Sequence, residues 1–435
     1  MTNIPHDLIS VYQKIKLFYI KIVKSMIFSV YIAIYTDGLF IGVVIRFSKK
    51  EEARIMKFEA HFSVNMLYGE GIFSQLGEKT AALGVKHAMI VCDKGILNLG
   101  LADRAAELLE KAGVKTTVWS DVLPDPPDIS IDKAAEIARN EKIDGCVGIG
   151  GGSAMDTAKC VGILLSNPGS ISQYINSYAP TTVPVICVPT AAGTGAEHSA
   201  GSQVTITSAH RKGVASSSCP SLAVVDPELT YGSPKGVTLN SVLDSFAHNA
   251  EVLLANHPTY YTEILSAASV KNIVKYLPIA LKDPNNAEAR DKLMFASTEV
   301  GSTMFLASPN WGHGFGHAIG ARYHCPHGYA VAYCLPALME IYAQVLPEQS
   351  KILADAMEIQ LPENADHEVL GKTLRTGVQN FFDNVGAPKL KDLADSAEEL
   401  FEITELVKND PMSFLYPRPL TDEEICNIFK EAYNS

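Results

Sequence analysis

The chain has 435 residues, 47% of them hydrophobic and 19% charged, the composition of a folded globular protein of about two to three domains rather than a disordered or fibrous one. A net charge of −12 argues against nucleic acid as a partner, because phosphate neutralisation needs clustered Lys and Arg. The eight cysteines (92, 146, 160, 187, 219, 325, 334 and 426) form no CxxC pair, which speaks against a zinc-thiolate site or a redox dithiol. Several lie in apolar runs and read as reduced, buried thiols, so the expected location is the cytoplasm.

Residues 1–55 stand apart, with eight Lys or Arg against four acidic residues. Within them, 26–47 is mostly apolar and long enough to span a bilayer, but Asp37 and Gly38 interrupt it. Three readings stay open: an extension ahead of a natural start at Met56, a membrane anchor, and a noncleaved signal. The first is preferred, and a membrane is not an expected partner.

From Met56 to about Leu239, short apolar strands alternate with helical stretches, as in an α/β domain. Strands are predicted at 87–92, 115–119, 143–149, 183–188 and 222–225, and helices at 102–113 and 131–140. After Leu239 the helical period takes over, at 241–256, 259–282, 286–306, 328–345, 367–385, 391–407 and 421–433. The fold class is therefore an α/β N-terminal nucleotide-binding domain (56–238) followed by an all-α C-terminal domain (239–435), with a ligand expected between them.

The third strand runs into GIGGGSAMDTAK, residues 148–159. Glycines at a strand-to-helix turn let a phosphate reach bare backbone amides, which the helix dipole also favours. Asp156 and Lys159 follow in the first turns of the helix, on one side of it. Asp93 ends an upstream strand; a carboxylate there would bind ribose hydroxyls and repel a 2′-phosphate, favouring NAD over NADP. A second small-residue loop, PTAAGTGAE (189–197), could also approach a cofactor, although any tight turn could look this way.

Asp244 and His248 are four apart on a helical segment, and His313 and His317 repeat that spacing. His327, after Pro326, could swing toward the same point, whereas His324 reads as a loop tip. Taken alone, such an Asp–His pair is more often a surface pair. Together, one carboxylate and several imidazoles suit Fe(II), Zn or a related divalent ion.

GGGSAMDTAK, PTAAGTGAE, LDSFAHNAE and HGFGHAIGARYHCPHG resemble, in that order, the signatures of the iron-containing alcohol dehydrogenases, from about Met56 to the C-terminus. The resemblance implies the dehydroquinate synthase-like fold of that family. It implies Asp244, His248, His313 and His327 as metal ligands for Fe2+ or Zn2+, with His317 near the nicotinamide as the catalytic proton relay. It places Gly151, Gly152, Ser153 and Asp156 at the pyrophosphate, Thr190, Thr194 and Lys212 along the cofactor cleft, and Asp93 at the adenosine ribose of NAD. The expected reaction is metal-assisted hydride transfer between NAD(H) and an alcohol or aldehyde, in a homodimer or larger homo-oligomer. The sequence departs from the family's pattern at Ser241-Val242-Leu243, at Ala196 with the following His198, and at Trp311. Trp311 and Phe305 suggest a compact pocket for a short primary alcohol. A polyol dehydrogenase or a dehydroquinate synthase-like lyase would share the fold, and a noncatalytic nucleotide- and metal-binding protein is a rival of another class.

Overall fold

The computed structural model describes residues 64–435 except 210, 305, 411 and 412. The readings of residues 1–55 and of Phe305 lie outside the described residues.

The sheet has six parallel strands: β1 (Asn65–Tyr68), β2 (His87–Val91), β3 (Lys115–Trp119), β4 (Gly145–Gly150), β5 (Val185–Pro189) and β8 (Leu222–Val225), in the order β1-β8-β5-β4-β2-β3. Every residue of β2, β4, β5 and β8 is buried, which explains their near-continuous apolar runs. Alternate side chains serve two cores. Ala88 and Ile90 face α1 (Leu76–Ala82), α2 (Lys94–Asn98) and α3 (Leu101–Lys111), while Met89 and Val91 face α4 (Asp128–Asn140) and α5 (Gly152–Ser166).

The chain leaves β2 toward β3 on one side, yet β4 lies on the other. A crevice thus opens beyond the carboxyl ends of β2 and β4, where ligands bind in doubly wound sheets. An antiparallel hairpin, β6 (Gly201–Ile206) with β7 (Arg211–Ser216), stands apart from this sheet.

Helices follow: α6 (Lys235–Leu253), α7 (Tyr260–Lys282), α8 (Ala287–Thr303), α9 (Trp311–Tyr323), α10 (His327–Tyr333), α11 (Leu335–Val345), α12 (Pro347–Ala356), α13 (His367–Val385), α14 (Thr404–Lys408) and α15 (Asp422–Tyr433). They share one apolar core that includes Phe246, Trp311, Phe315 and Phe429.

Two expectations need correction. The single helix predicted over 328–345 is split at Cys334, because Pro336 has no N–H to continue the ladder. Residues 391–407 form 3-10 turns and the short α14 instead of a long helix. There the Glu399 carboxylate accepts from the Asp395 amide and Ser396 Oγ accepts from the Glu399 amide, drawing the backbone out of helical bonding.

Candidate metal centre and cofactor cleft

Helix α6 carries Asp244 and His248 one turn apart, and α9 and α10 bring His313 and His327 to the same point. Asp244 Oδ1 lies 3.4 Å from His248 Nδ1, 3.8 Å from His313 Nε2 and 3.6 Å from His327 Nε2. One ligand atom each from Asp244, His248 and His313 can be chosen so that all lie within 4.8 Å of one another. His248 Nδ1 also lies 2.9 Å from the Asp244 carbonyl oxygen; donation to it leaves Nε2 for a ligand. Asp244, His248 and His313 are buried, whereas the His327 side chain is 25% exposed and opens toward solvent.

Two atoms at the centre of this cluster, Asp244 Oδ1 and His313 Nε2, are buried without a hydrogen-bond partner. Leaving such atoms unsatisfied costs about 1–3 kcal/mol each, so their convergence with two further imidazoles fits a divalent cation. Burial pushes His248 down to about 4 against the pull of Asp244, and drives His327 well below the usual imidazole range, leaving both neutral near pH 7. Burial alone would raise Asp244, but His248, His327 and His313 hold it well below the usual carboxylate range.

His317, one turn beyond His313, stacks on His327 with ring centroids 5.6 Å apart. Its Nδ1 is 2.8 Å from Asp410 Oδ2, and its Nε2 is buried without a hydrogen-bond partner. His324 caps α9 in the left-handed conformation and is exposed.

In the crevice, Gly151 caps α5 with no side-chain bond, and a Cβ added there would meet nothing within 4 Å. The open helix N-terminus is suited to phosphate. At Gly152 a Cβ would come within 2.9 Å of Thr194 Cγ2, so only glycine lets the second loop close against the first. The Thr190 amide donates to the Gly150 carbonyl at 3.0 Å, joining the loops again. Ser153 follows at the start of α5. Asp93 accepts from the Ile96 amide through Oδ1 at 3.0 Å, and its Oδ2 lies on the Gly150 side.

Asp156, expected at the pyrophosphate, instead turns inward and pairs at 2.8 Å with Lys159, which lies on the same side of the helix. Lys212, on β7, pairs with Asp125 at 2.7 Å, and its charge helps to depress His327. Trp311 also departs from expectation. It is wholly buried, packs on Tyr342 and donates Nε1 to the Arg418 carbonyl, so it belongs to the core and not to a substrate pocket.

Residues 63–227 match the family model described as iron-containing alcohol dehydrogenase, and 238–433 match that of the Fe-containing alcohol dehydrogenase family's C-terminal part. The chain belongs to the iron-containing alcohol dehydrogenase family.

Among its relatives, the NAD-dependent methanol dehydrogenase of Bacillus methanolicus is 28% identical, covering 84% of this chain and 97% of that one. The 1,3-propanediol dehydrogenase of Klebsiella pneumoniae is 27% identical, over 84% and 96%. The alcohol dehydrogenase from Oenococcus oeni superimposes with a TM-score of 0.81 at 30% identity, covering 85% of this chain and 98% of that one. The sulfoacetaldehyde reductase from Bifidobacterium kashiwanohense, solved in complex with NAD+, gives 0.78 at 26%, over 87% and 100%.

Within this member of the family, the sequence reading missed three residues that serve the cluster. Glu251, one turn past His248 on α6, accepts from the amides of Gly312 and His313 and contacts His313 Nδ1. Tyr342 lies 3.0 Å from the same carboxylate. Asp410, on a distant loop, holds His317. Only Glu251 carried a sequence signal, since Asp244, His248 and Glu251 fall at i, i+4 and i+7 on one helix face.

Proposed function

We propose that this chain is an NAD(H)-dependent alcohol dehydrogenase or aldehyde reductase that holds divalent iron, or zinc, on Asp244, His248, His313 and His327. The observation that carries the reading is the convergence of these side chains, with Asp244 Oδ1 and His313 Nε2 buried and unpartnered, beside an open helix N-terminus at Gly151. Bound on these four residues, such an ion would supply the Lewis acidity that polarises a carbonyl or lowers the pKa of an alcohol.

The protein's own groups do the rest. The α5 N-terminus and the glycine loop bind the pyrophosphate, and Asp93 takes the ribose hydroxyls and disfavours a 2′-phosphate. His317, oriented by Asp410 through Nδ1, presents Nε2 as the atom that gives or takes the hydroxyl proton. The eight cysteines, all free, agree with a reducing cytoplasmic location.

With Trp311 in the core, a short primary alcohol or aldehyde is supported instead by relatives named for methanol, 1,3-propanediol and, in Thermotoga maritima, butanol. Incubating iron-loaded protein with NADH and a panel of short aldehydes tests the activity. NADH consumption by at least one aldehyde is expected, and none by any would overturn the reading. His313→Ala should lose its metal beside the wild type, and unchanged content would sink the site.

A further inference from the structure

Lys159 is 1% exposed, and its ammonium meets no solvent and no crevice. It pairs with Asp156 Oδ1 at 2.8 Å and donates to three carbonyls, those of Ala196 (3.1 Å), Ser199 (3.4 Å) and Gly201 (2.6 Å). Asp156 uses its other oxygen to accept from the Gln203 amide at 3.0 Å. One buried pair on the first two turns of α5 therefore grips 196–203, the end of the second loop and the start of hairpin β6–β7. Burial alone would lower the pKa of the Lys159 ammonium, but the Asp156 carboxylate beside it opposes this and the net shift is upward.

These contacts form a chain that leads to the cofactor crevice. Thr194 rests on Gly152 and accepts from the Ala196 amide, whose carbonyl Lys159 holds. In the hairpin, Thr205 pairs with Lys212, whose ammonium bonds Asp125 and whose charge is felt at His327. A buried ion pair is a poor source of stability, because desolvation offsets its attraction; what it supplies is fixed geometry.

We propose that Lys159, with Asp156, is a positioning residue: a buried clamp that holds the Thr190–Thr194 loop and the Lys212 hairpin against the phosphate helix, so that the cofactor cleft is formed before NAD(H) arrives. This rests on the NAD(H) reading above.

The test uses the full chain, metal-loaded. The variant Asp156→Asn/Lys159→Met removes both charges together and leaves no buried charge alone. Lys159→Gln, which retains amide donors for the carbonyls, serves if the double variant does not fold. Two readouts are taken without substrate: hydrogen exchange over 196–206 in the cofactor-free protein, and the NADH Kd from fluorescence titration. Faster exchange is expected, with a Kd raised about tenfold in the double variant and about threefold in Lys159→Gln, because order lost before binding must be restored on binding. In turnover, KM for NADH should rise while kcat at saturating NADH and metal content hold. A lysine that simply touched phosphate would weaken binding without changing cofactor-free exchange, so unchanged exchange overturns the clamp. So does a Kd within about twofold of wild type. Wild-type protein that binds no NADH overturns the cofactor reading itself, a result distinct from the other two.

Discussion

Glu251 grips His313 twice, through the backbone amide at 3.2 Å and through the ring Nδ1. The grip fixes the ring so that Nε2 points at Asp244, 3.8 Å away. Gly312 is part of the same device, since a Cβ there would come within 3.0 Å of Glu251 Oε1.

Carboxylates behind a ligating histidine set its tautomer and basicity, and their loss costs about 10–100-fold in metal affinity. Glu251→Gln should therefore fold and lose metal to a chelator at concentrations the wild type resists. Iron content after graded dialysis measures this, and equal retention would count against the role given to Glu251.

The same contact makes metal uptake depend on pH. Burial alone lowers His313, but Glu251 at Nδ1 and Asp244 near Nε2 outweigh it and raise it to about 9 in the metal-free protein. Below that pH Nε2 carries a proton that a cation must displace, so affinity should climb as pH rises from 6 and level off near 9. Calorimetric titrations in buffers of different ionisation enthalpy should register about one proton released per metal at pH 7. His248, down at about 4, contributes no proton in this range.

Much of this architecture was legible because it repeats a strong local pattern. The strand Leu222–Val225 follows an apolar run, Lys115–Trp119 a β-branched one, and the helix His367–Val385 a clear helical period. Hairpin β6–β7 escaped because GSQVTI and RKGVAS are short and half-polar, so that the face they bury, with Val204 and Ala215 against α4 and α5, is too brief to show as an apolar pattern. Helix α9 escaped as an element because four of its thirteen residues are glycine, each costing about 1 kcal/mol against helix, a penalty that burial of Trp311 and Phe315 overrides. At the site, spacing alone could tell that Asp156 and Lys159 share a side of α5, but not that this side faces inward. Asp410 lies 93 residues from His317, and only the fold joins them.

The last helix is tied to the metal-bearing part of the core by Arg418, whose carbonyl accepts from Trp311 and whose guanidinium takes Glu424 in a two-pronged pair. Arg418 is the main reason that Glu424 falls to about 2, with burial opposing and the Thr421 amide assisting. A depressed carboxylate stabilises the fold above its unfolded pKa of about 4.3 and ceases to as pH falls toward 2. Glu424→Gln should cost on the order of 1 kcal/mol at pH 7, after allowance for solvent screening. Melting curves of both proteins between pH 7 and pH 3 should show the gap in Tm narrowing as acid is added; a constant gap would rule out the charge as its source.

Asp410 gives the sharpest separation of proton handling from metal binding. It touches His317 and none of the four candidate ligands in the hydrogen bonds and ion pairs described, so its removal should spare the metal. Asp410→Asn retains an acceptor for His317 Nδ1 but drops the charge that stabilises the imidazolium, whereas Asp410→Ala releases the ring altogether. A positioned general acid or base contributes about 10²–10⁴ in rate, so His317→Ala should fall by that order. Asp410→Ala should follow it most of the way and Asp410→Asn by about tenfold. All three should keep wild-type metal content and NADH affinity. Loss of kcat together with loss of metal would make Asp410 a structural support of the centre, and full activity in Asp410→Ala would remove His317 orientation from the mechanism.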